Sequence, residues 1–386
     1  MILDKKGETS ANYQVNNLTE LDIQYLIMFA TSKKDNYLGL LSSIDKKGFL
    51  RYGIKTTIGE AFGIQKDMRI QLEAFSNEGE VLWTKETGRK GKKVWEGANH
   101  LFSNQKFTVT SISFRHGLLS THYKNYILCL NAETGKELYT LETNKENTYF
   151  SYTGVNYDEN TNEFFCYGEY FDGELNYKNR SKGFFIKIID SETGSIKKEN
   201  FISWKKDVTP LVEKKDPTKK LKNKNINLHK ILRTDDGKMF AVTELSGNND
   251  STHTIFLYDL ITFEFSKDLS LVDAYIIKKE TDTYIVSKYS GGSLEATSIR
   301  DNFDYYLTFL SPNKKTFTSV YNVIENNKCY IGSFTYKDQT FNYDKILRTG
   351  NPIIHTVLAA KVGYIAIFDF YDREKRIEIR IEKLNI

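Results

Sequence analysis

The sequence predicts an all-β protein, a β-propeller of six to eight four-stranded antiparallel blades with seven the favoured number. Three observations carry this: an aromatic, β-branched composition, one hairpin pattern that recurs along the chain, and the turn chemistry that the copies share. Among 386 residues there are 25 Tyr and 25 Phe, so aromatics reach 14%. Such shapes suit a pleated, half-buried surface better than a helix. With only 4 Pro, no Pro-rich linker divides the chain, and no apolar run is long enough to cross a bilayer as a helix. The expected organisation is a single domain over residues 1–386, in which residues 1–20 are flexible or close the last sheet.

The recurring unit is an alternating apolar strand, a polar turn with Gly or Asn, and a second strand with bulky residues. It is read at 37–54, 69–86, 126–142, 183–201, 254–269, 304–320 and 364–381. Self-similarity at this spacing points to repeated sheets. In 126–142 the strand has Tyr126, Leu128 and Leu130 on one face with Ile127 and Cys129 on the other, so neighbouring sheets must cover both sides. The turns "AETG" (132–135) and "SETG" (191–194) each supply a glycine able to take positive φ. Upstream pairs at 150–171 and 228–246, the latter turning at "DDGK", complete four-stranded meanders. Turn centres fall near residues 79, 135, 194, 262, 312 and 372, about one sheet apart. One such sheet cannot hide both faces, whereas a stack of them can.

"YILCLNAETGKELYTLET" and "IQLEAFSNEGEVLWTKET" resemble the repeat of pyrroloquinoline-quinone-type (quinoprotein-like) propellers. The resemblance implies the fold and leaves the chemistry open, since proteins sharing it include dehydrogenases, assembly scaffolds and surface binders. A quinone enzyme would need a Trp floor, a Ca²⁺ site and an Asp base. Of Trp83, Trp95 and Trp204, the first stands where the repeat places a packing aromatic. No cofactor is therefore expected.

Catalytic constellations are equally hard to anchor. The turn "SNEGEVLW" (76–83) resembles the Asp-box of sialidases, but Gly79 falls one residue early and Glu78 takes the intervening place. "DENTNEFFCYGE" (158–169) spaces Asp158, Asn160, Asn162 and Glu169 like a calcium loop, yet Glu163 occupies the place that requires glycine. A plain turn explains it better. Cys129, Cys166 and Cys329 lack metal-ligand or disulfide spacing and read as buried thiols. Among six histidines only His116 and His122 are near one another. No catalytic or metal residue is assigned.

Charge is nearly balanced, 54 Lys and Arg against 50 Asp and Glu. The excess is local: residues 205–225 carry eight lysines against three acids and no aromatic, which reads as a solvated loop insertion rather than a nucleic-acid surface. Lys219 and Lys220 in it are candidate ligand contacts. "KILRT" occurs at 230–234 and 345–349. If each copy lies on a sheet's first strand or the approach to it, Arg233 and Arg348 face one opening and attract an anion, or else serve as structural glue; Leu232 and Leu347 pack in both cases. The expected function is a non-catalytic, monomeric scaffold for a protein or glycan partner, using the channel mouth and face loops such as 172–182, 205–225 and 290–303. The alternative is a glycosidase-like or esterase-like hydrolase using carboxylates at the channel mouth. No leader is visible at the N-terminus, and an extracytoplasmic location would follow if one had been removed.

Overall fold

The computed structural model describes residues 25–31, 36–45, 48–61, 64–75, 81–87, 94–116, 123–143, 148–173, 181–221, 224–249, 254–279, 283–286, 303–326, 328–348, 354–360, 363–371 and 376–384. The expected closing segment 1–20, the Asp-box-like turn at 76–80, and most of the loops 172–182 and 290–303 lie outside them.

The described strands follow one another as meanders. The first comprises β1 (Tyr25–Thr31), β2 (Asn36–Asp45), β3 (Gly48–Ala61), β4 (Ile64–Phe75) and β5 (Val81–Thr87). The second comprises β6 (Val94–Ser103), β7 (Phe107–His116), β8 (Tyr123–Asn131) and β9 (Glu137–Glu142). A single parallel bridge, Met68 to Trp95, joins these two into one nine-stranded sheet. β10 (Thr148–Asp158), β11 (Glu163–Asp172), β12 (Gly183–Asp190) and β13 (Ile196–Ser203) form the third. The fourth has β14 (Asn225–Arg233), β15 (Met239–Asn249), β16 (Thr254–Phe265) and β17 (Leu271–Ile277), with β18 (Thr283–Val286) also on β16. The fifth is β19 (Tyr305–Leu310), β20 (Phe317–Glu325), β21 (Lys328–Lys337) and β22 (Thr340–Leu347). β23 (Ile354–Ala359), β24 (Tyr364–Tyr371) and β25 (Arg376–Lys383) are the described strands of the sixth. This is an all-β chain of the β-propeller class, and six meanders among the described residues is the lower end of the expected range.

Contacts divide the chain into two compact units: Met1–Cys166 with Asp172–Asn176 and Lys187–Lys198, and Tyr167–Phe171 with Tyr177–Ile186 and Glu199–Ile386. In the first, Leu72, Ala74 and Trp83 pack on Ile112, Leu128 and Leu130. Phe164 of the third sheet meets Phe102 and Phe107 of the second at 5.9 and 5.2 Å. In the second unit Phe184 meets Phe265 at 5.6 Å, edge to face. One cluster there runs from Leu232, Phe240 and Val242 to Phe317, Phe334 and Tyr336, and another from Val320 and Ile331 to Val357, Ile365 and Ile367. Face-to-face stacking of successive sheets is thus the source of the core, because each sheet has two apolar faces. Their last strands differ. β9, β22 and β25 alternate exposed and half-buried residues; on β25 the exposed positions include Ile377, Ile379 and Ile381, while Glu378, Arg380 and Glu382 are half-buried.

The two best turns are chemical twins, both in the first unit. Asn131 Oδ1 accepts from the backbone and hydroxyl of Thr134, both at 2.9 Å. Asp190 Oδ1 accepts from the same groups of Thr193 at 3.0 Å. Gly135 and Gly194 follow at φ +67° and +73°. A Cβ on either would meet an aromatic ring at 2.5 Å, Trp83 in one case and Tyr139 in the other. An aromatic from the closing strand of one meander therefore seats on the turn glycine of the next.

Three expectations need correction. Residues 254–269 are not a hairpin: β16 runs unbroken to Phe265, and the turn lies at Ser266–Ser270, where Leu269 N bonds to Ser266 O at 3.0 Å. No turn-forming residue interrupts Leu260–Phe263, and both faces there are buried, so the strand continues. The 205–225 segment is not simply solvated. A π-helical turn (Trp204–Val208) runs into α1 (Thr209–Lys215), and Val208, Val212 and Leu221 are buried. Lys205, Lys206, Lys214, Lys215 and Lys220 are exposed, while its few apolar residues anchor it. Third, the two "KILRT" copies are not equivalent, since the first ends β14, a first strand, and the second ends β22, a last strand. Leu232 is accordingly 4% exposed and Leu347 46%.

Candidate functional site

Two polar clusters are buried in the second unit, flanking the start of β19. The first is built where two strands bulge. In β14, Leu228 pairs with Thr243 and Lys230 with Val242, so His229 is the extra residue and leaves the ladder. In β15 the register slips between Glu244 and Ser246. Bulges re-aim side chains, and here they bring His229 Nε2 within 3.2 Å of Glu244 Oε2. The imidazole lies flat on Tyr305 at 4.3 Å and meets the edge of Phe303 at 4.9 Å.

Lys279, just past β17, unites the cluster. Its Nζ donates to Glu244 Oε1 at 3.2 Å and to Asp304 Oδ2, while its backbone N donates to Asp259 Oδ1 at 2.8 Å. Asn322 Nδ2 donates to the other Asp304 oxygen at 3.1 Å. The Glu244 and Lys279 side chains are fully buried. Burial pushes the Glu244 carboxyl upward, but the His229 hydrogen bond and the Lys279 charge outweigh it, and the group is held below its ordinary value. Removing two charges from water costs several kcal/mol per ion, so the network is held by its mutual hydrogen bonds.

The second cluster joins the fifth and sixth sheets. His355 on β23 stands opposite Asp369 on β24, and their side chains are hydrogen-bonded through Nδ1. Arg380 on β25 places Nη2 3.6 Å from Asp369 Oδ2. Tyr306 meets the His355 ring edge-on at 5.7 Å and is the irregular residue between Tyr305 and Leu307 in the β19–β20 register. Burial lowers the His355 pKa; the Asp369 hydrogen bond opposes this, and the charges of Arg348 and Arg380 add to it. His355 is thereby held neutral more readily than a free histidine.

The residues singled out in the sequence are spread across this region. Arg233 is half-buried at the end of β14 and Arg348 lies just past β22, at opposite places in their meanders. The charge of Arg348 bears instead on His355 and Tyr306. Lys219 is paired with the buried Asp259 and so is occupied structurally, whereas Lys220 is exposed. Trp83 and Trp204 are buried, their Nε1 atoms donating to Ala132 O and Ser181 Oγ at 2.9 and 2.8 Å. In the calcium-like stretch, Asn162 accepts from Tyr157 and donates to Glu192, at 2.7 and 3.0 Å, as a turn residue does. Sequence reasoning missed Glu244, Asp259, Lys279, Asp304 and Asp369. For Glu244, Asp259 and Asp369 the signal was a charge inside an apolar strand, "FAVTELS" (240–246), "FLYDLI" (256–261) and "FDF" (368–370); Lys279 and Asp304 lie just outside β17 and β19 and carried no such signal.

Comparison with the curated proteins finds no match. Among solved structures, the chain is similar to a mutant α-L-arabinofuranosidase of Fusarium graminearum, at 8% identity over 94% of this chain and 97% of that one, with a TM-score of 0.44. It is also similar to the levansucrase of Bacillus subtilis, at 9% identity over 76% and 84% with a TM-score of 0.36. A third likeness is to hydrazine synthase of Kuenenia stuttgartiensis, at 8% identity over 67% and 73% with a TM-score of 0.28. None of these likenesses bears on activity. Residues 2–385 match the family described as "Family of unknown function (DUF6770)", and the protein belongs to it.

Proposed function

We propose that this protein is a non-catalytic β-propeller that binds a protein or glycan partner. One observation carries the reading: the buried carboxylates Glu244, Asp259, Glu264, Asp304 and Asp369 each meet a cationic partner, from Lys279, Lys219, Lys238, Lys279 and Arg380 respectively. A glycosidase needs one carboxyl kept protonated to donate to the leaving group. Glu244 is pushed the other way despite full burial. These groups serve as counter-ions that hold sheets together, which leaves the surface loops for recognition. The repeats are proposed to be of the quinoprotein-like type, supported by Trp83 on Gly135 and Tyr139 on Gly194.

A hydrolase is the second reading, favoured by one feature. Glu244 and Asp304 both contact the Lys279 ammonium, so their oxygens stand within about 6 Å, near the separation of a retaining pair. A panel of chromogenic glycosides and esters, run beside a glycan array and a pull-down, separates the two. The binding reading expects saturable capture without turnover. Turnover abolished by Glu244→Gln would replace it with the second reading.

A further inference from the structure

The cluster around His355 holds more buried polar nitrogens than it uses in hydrogen bonds. Arg348 Nε, Arg380 Nε and Nη2, and His355 Nε2 are all buried and make no hydrogen bond. The His355 side chain is only 5% exposed, so its idle nitrogen is not serving solvent. Leaving a buried polar atom unmade costs about 1–3 kcal/mol, more for a charged group, and four such atoms in one place need an explanation. The neighbourhood is cationic. Asp369 and Glu382 offset Arg380, at 3.6 and 3.4 Å, but the Arg348 guanidinium has no carboxylate partner among the described residues. Arg380 is 18% exposed and Arg348 half-buried, which leaves the cluster open to solvent on their side.

We propose that Arg348, His355 and Arg380 form a binding site for an oxyanion, either the carboxylate of an acidic sugar or a phosphate group, with Tyr306 as its wall. Planar guanidinium groups suit such oxygens, because two parallel N–H donors match two acceptors. Asp369 fixes the His355 ring through Nδ1, and Nε2 then points at the ligand and donates once protonated, with Asp369 as counter-ion. The titratable and charged groups that face it are Tyr306 on β19, Arg348 after β22, Asp369 on β24, and Arg380 and Glu382 on β25. The site names a ligand chemistry for the binding reading and rests on it for its purpose, but it can fail while that reading stands.

Calorimetric titration of the full chain with galacturonate, galactose and inorganic phosphate tests the site. An anionic probe should bind and neutral galactose should not. Arg348→Gln and His355→Asn should each weaken binding about tenfold or more, while Lys345→Gln, an exposed cation paired with Glu325, should not. Response to galacturonate alone assigns the carboxylate source, and to phosphate alone the phosphate source. The His355 Cε1–H resonance of the unaltered protein should shift on saturation, so the outcome does not depend on how the variants fold. Neither heat nor shift with either anion, or wild-type affinity in a folded Arg348→Gln, overturns the site. If partner capture persists in that case, only the site falls; if capture fails too, the binding reading falls with it.

Discussion

The indole of Trp83 lies against the α-carbon of Gly135 so closely that a methyl group there would sit 2.5 Å from Cδ2, and its Nε1 donates to Ala132 O at 2.9 Å. The ring and the turn it covers belong to successive meanders, 49 or more residues apart in sequence. One glycine therefore serves two purposes, a backbone at φ +67° and a seat for the neighbouring sheet's aromatic.

Gly135→Ala and Gly194→Ala should each destabilise the protein by about 2–4 kcal/mol, combining left-handed strain with overpacking against an aromatic ring. Gly173 has φ +72° but no atom within 4 Å of an added Cβ, so Gly173→Ala should cost only about 1 kcal/mol. Urea titrations of the three variants separate the ring contact from the strain. Equal losses at all three positions would remove the ring from the argument.

Lys279→Met leaves the Glu244 and Asp304 carboxylates buried without their shared cation, and should cost about 3–5 kcal/mol. Glu244 is held below its ordinary 4.5, so its stabilising contribution is fully present above that pH and is lost as pH falls through the folded value. Without Lys279 the folded value rises. The variant's urea midpoint should therefore fall less than that of the wild type as pH is lowered below 4.5.

His100 contributes in a different window. Burial lowers its pKa from 6.5 to about 4, so between those values the unfolded chain binds a proton that the folded chain does not. Stability is therefore lost as pH falls from 6.5 towards 4. His100→Asn should flatten that part of the stability profile, and an unchanged slope would mean that the imidazole is protonated in the folded state.

The lysine-rich segment should behave as an anchored element. Val208 and Val212 are fully buried, so Val212→Ala should cost about 2 kcal/mol. Lys205→Ala and Lys206→Ala, on the exposed side, should change stability by no more than about 0.5 kcal/mol. Thermal melts compare them directly.

The meander order was legible because strand and turn signals are local. "AETG" and "SETG" announce their own geometry, and both place their glycine at the expected positive φ. The hairpin at 254–269 was misread because an apolar strand covered on both faces has no period, so nothing in "FLYDLITFEF" (256–265) marks where it ends. Identical "KILRT" words took unlike places, since burial at Leu232 and exposure at Leu347 are decided by which neighbours the sheet order supplies. The polar clusters are the least legible feature. Glu244, Lys279 and Asp304 are drawn from three separate segments, and only the bulge at His229 and the packing of successive sheets bring them onto one ammonium. A charge inside an apolar strand was a usable sign that something waits to pair with it, but not of what.

The most direct test of the central claim is turnover by the purified chain on chromogenic glycosides and esters, with binding to glycans and captured proteins followed in parallel. If Glu244 is a counter-ion to Lys279, a partner titrates to saturation, no product forms, and Glu244→Gln lowers stability without altering capture. Product release that disappears in folded Glu244→Gln and Asp304→Asn variants would contradict the account.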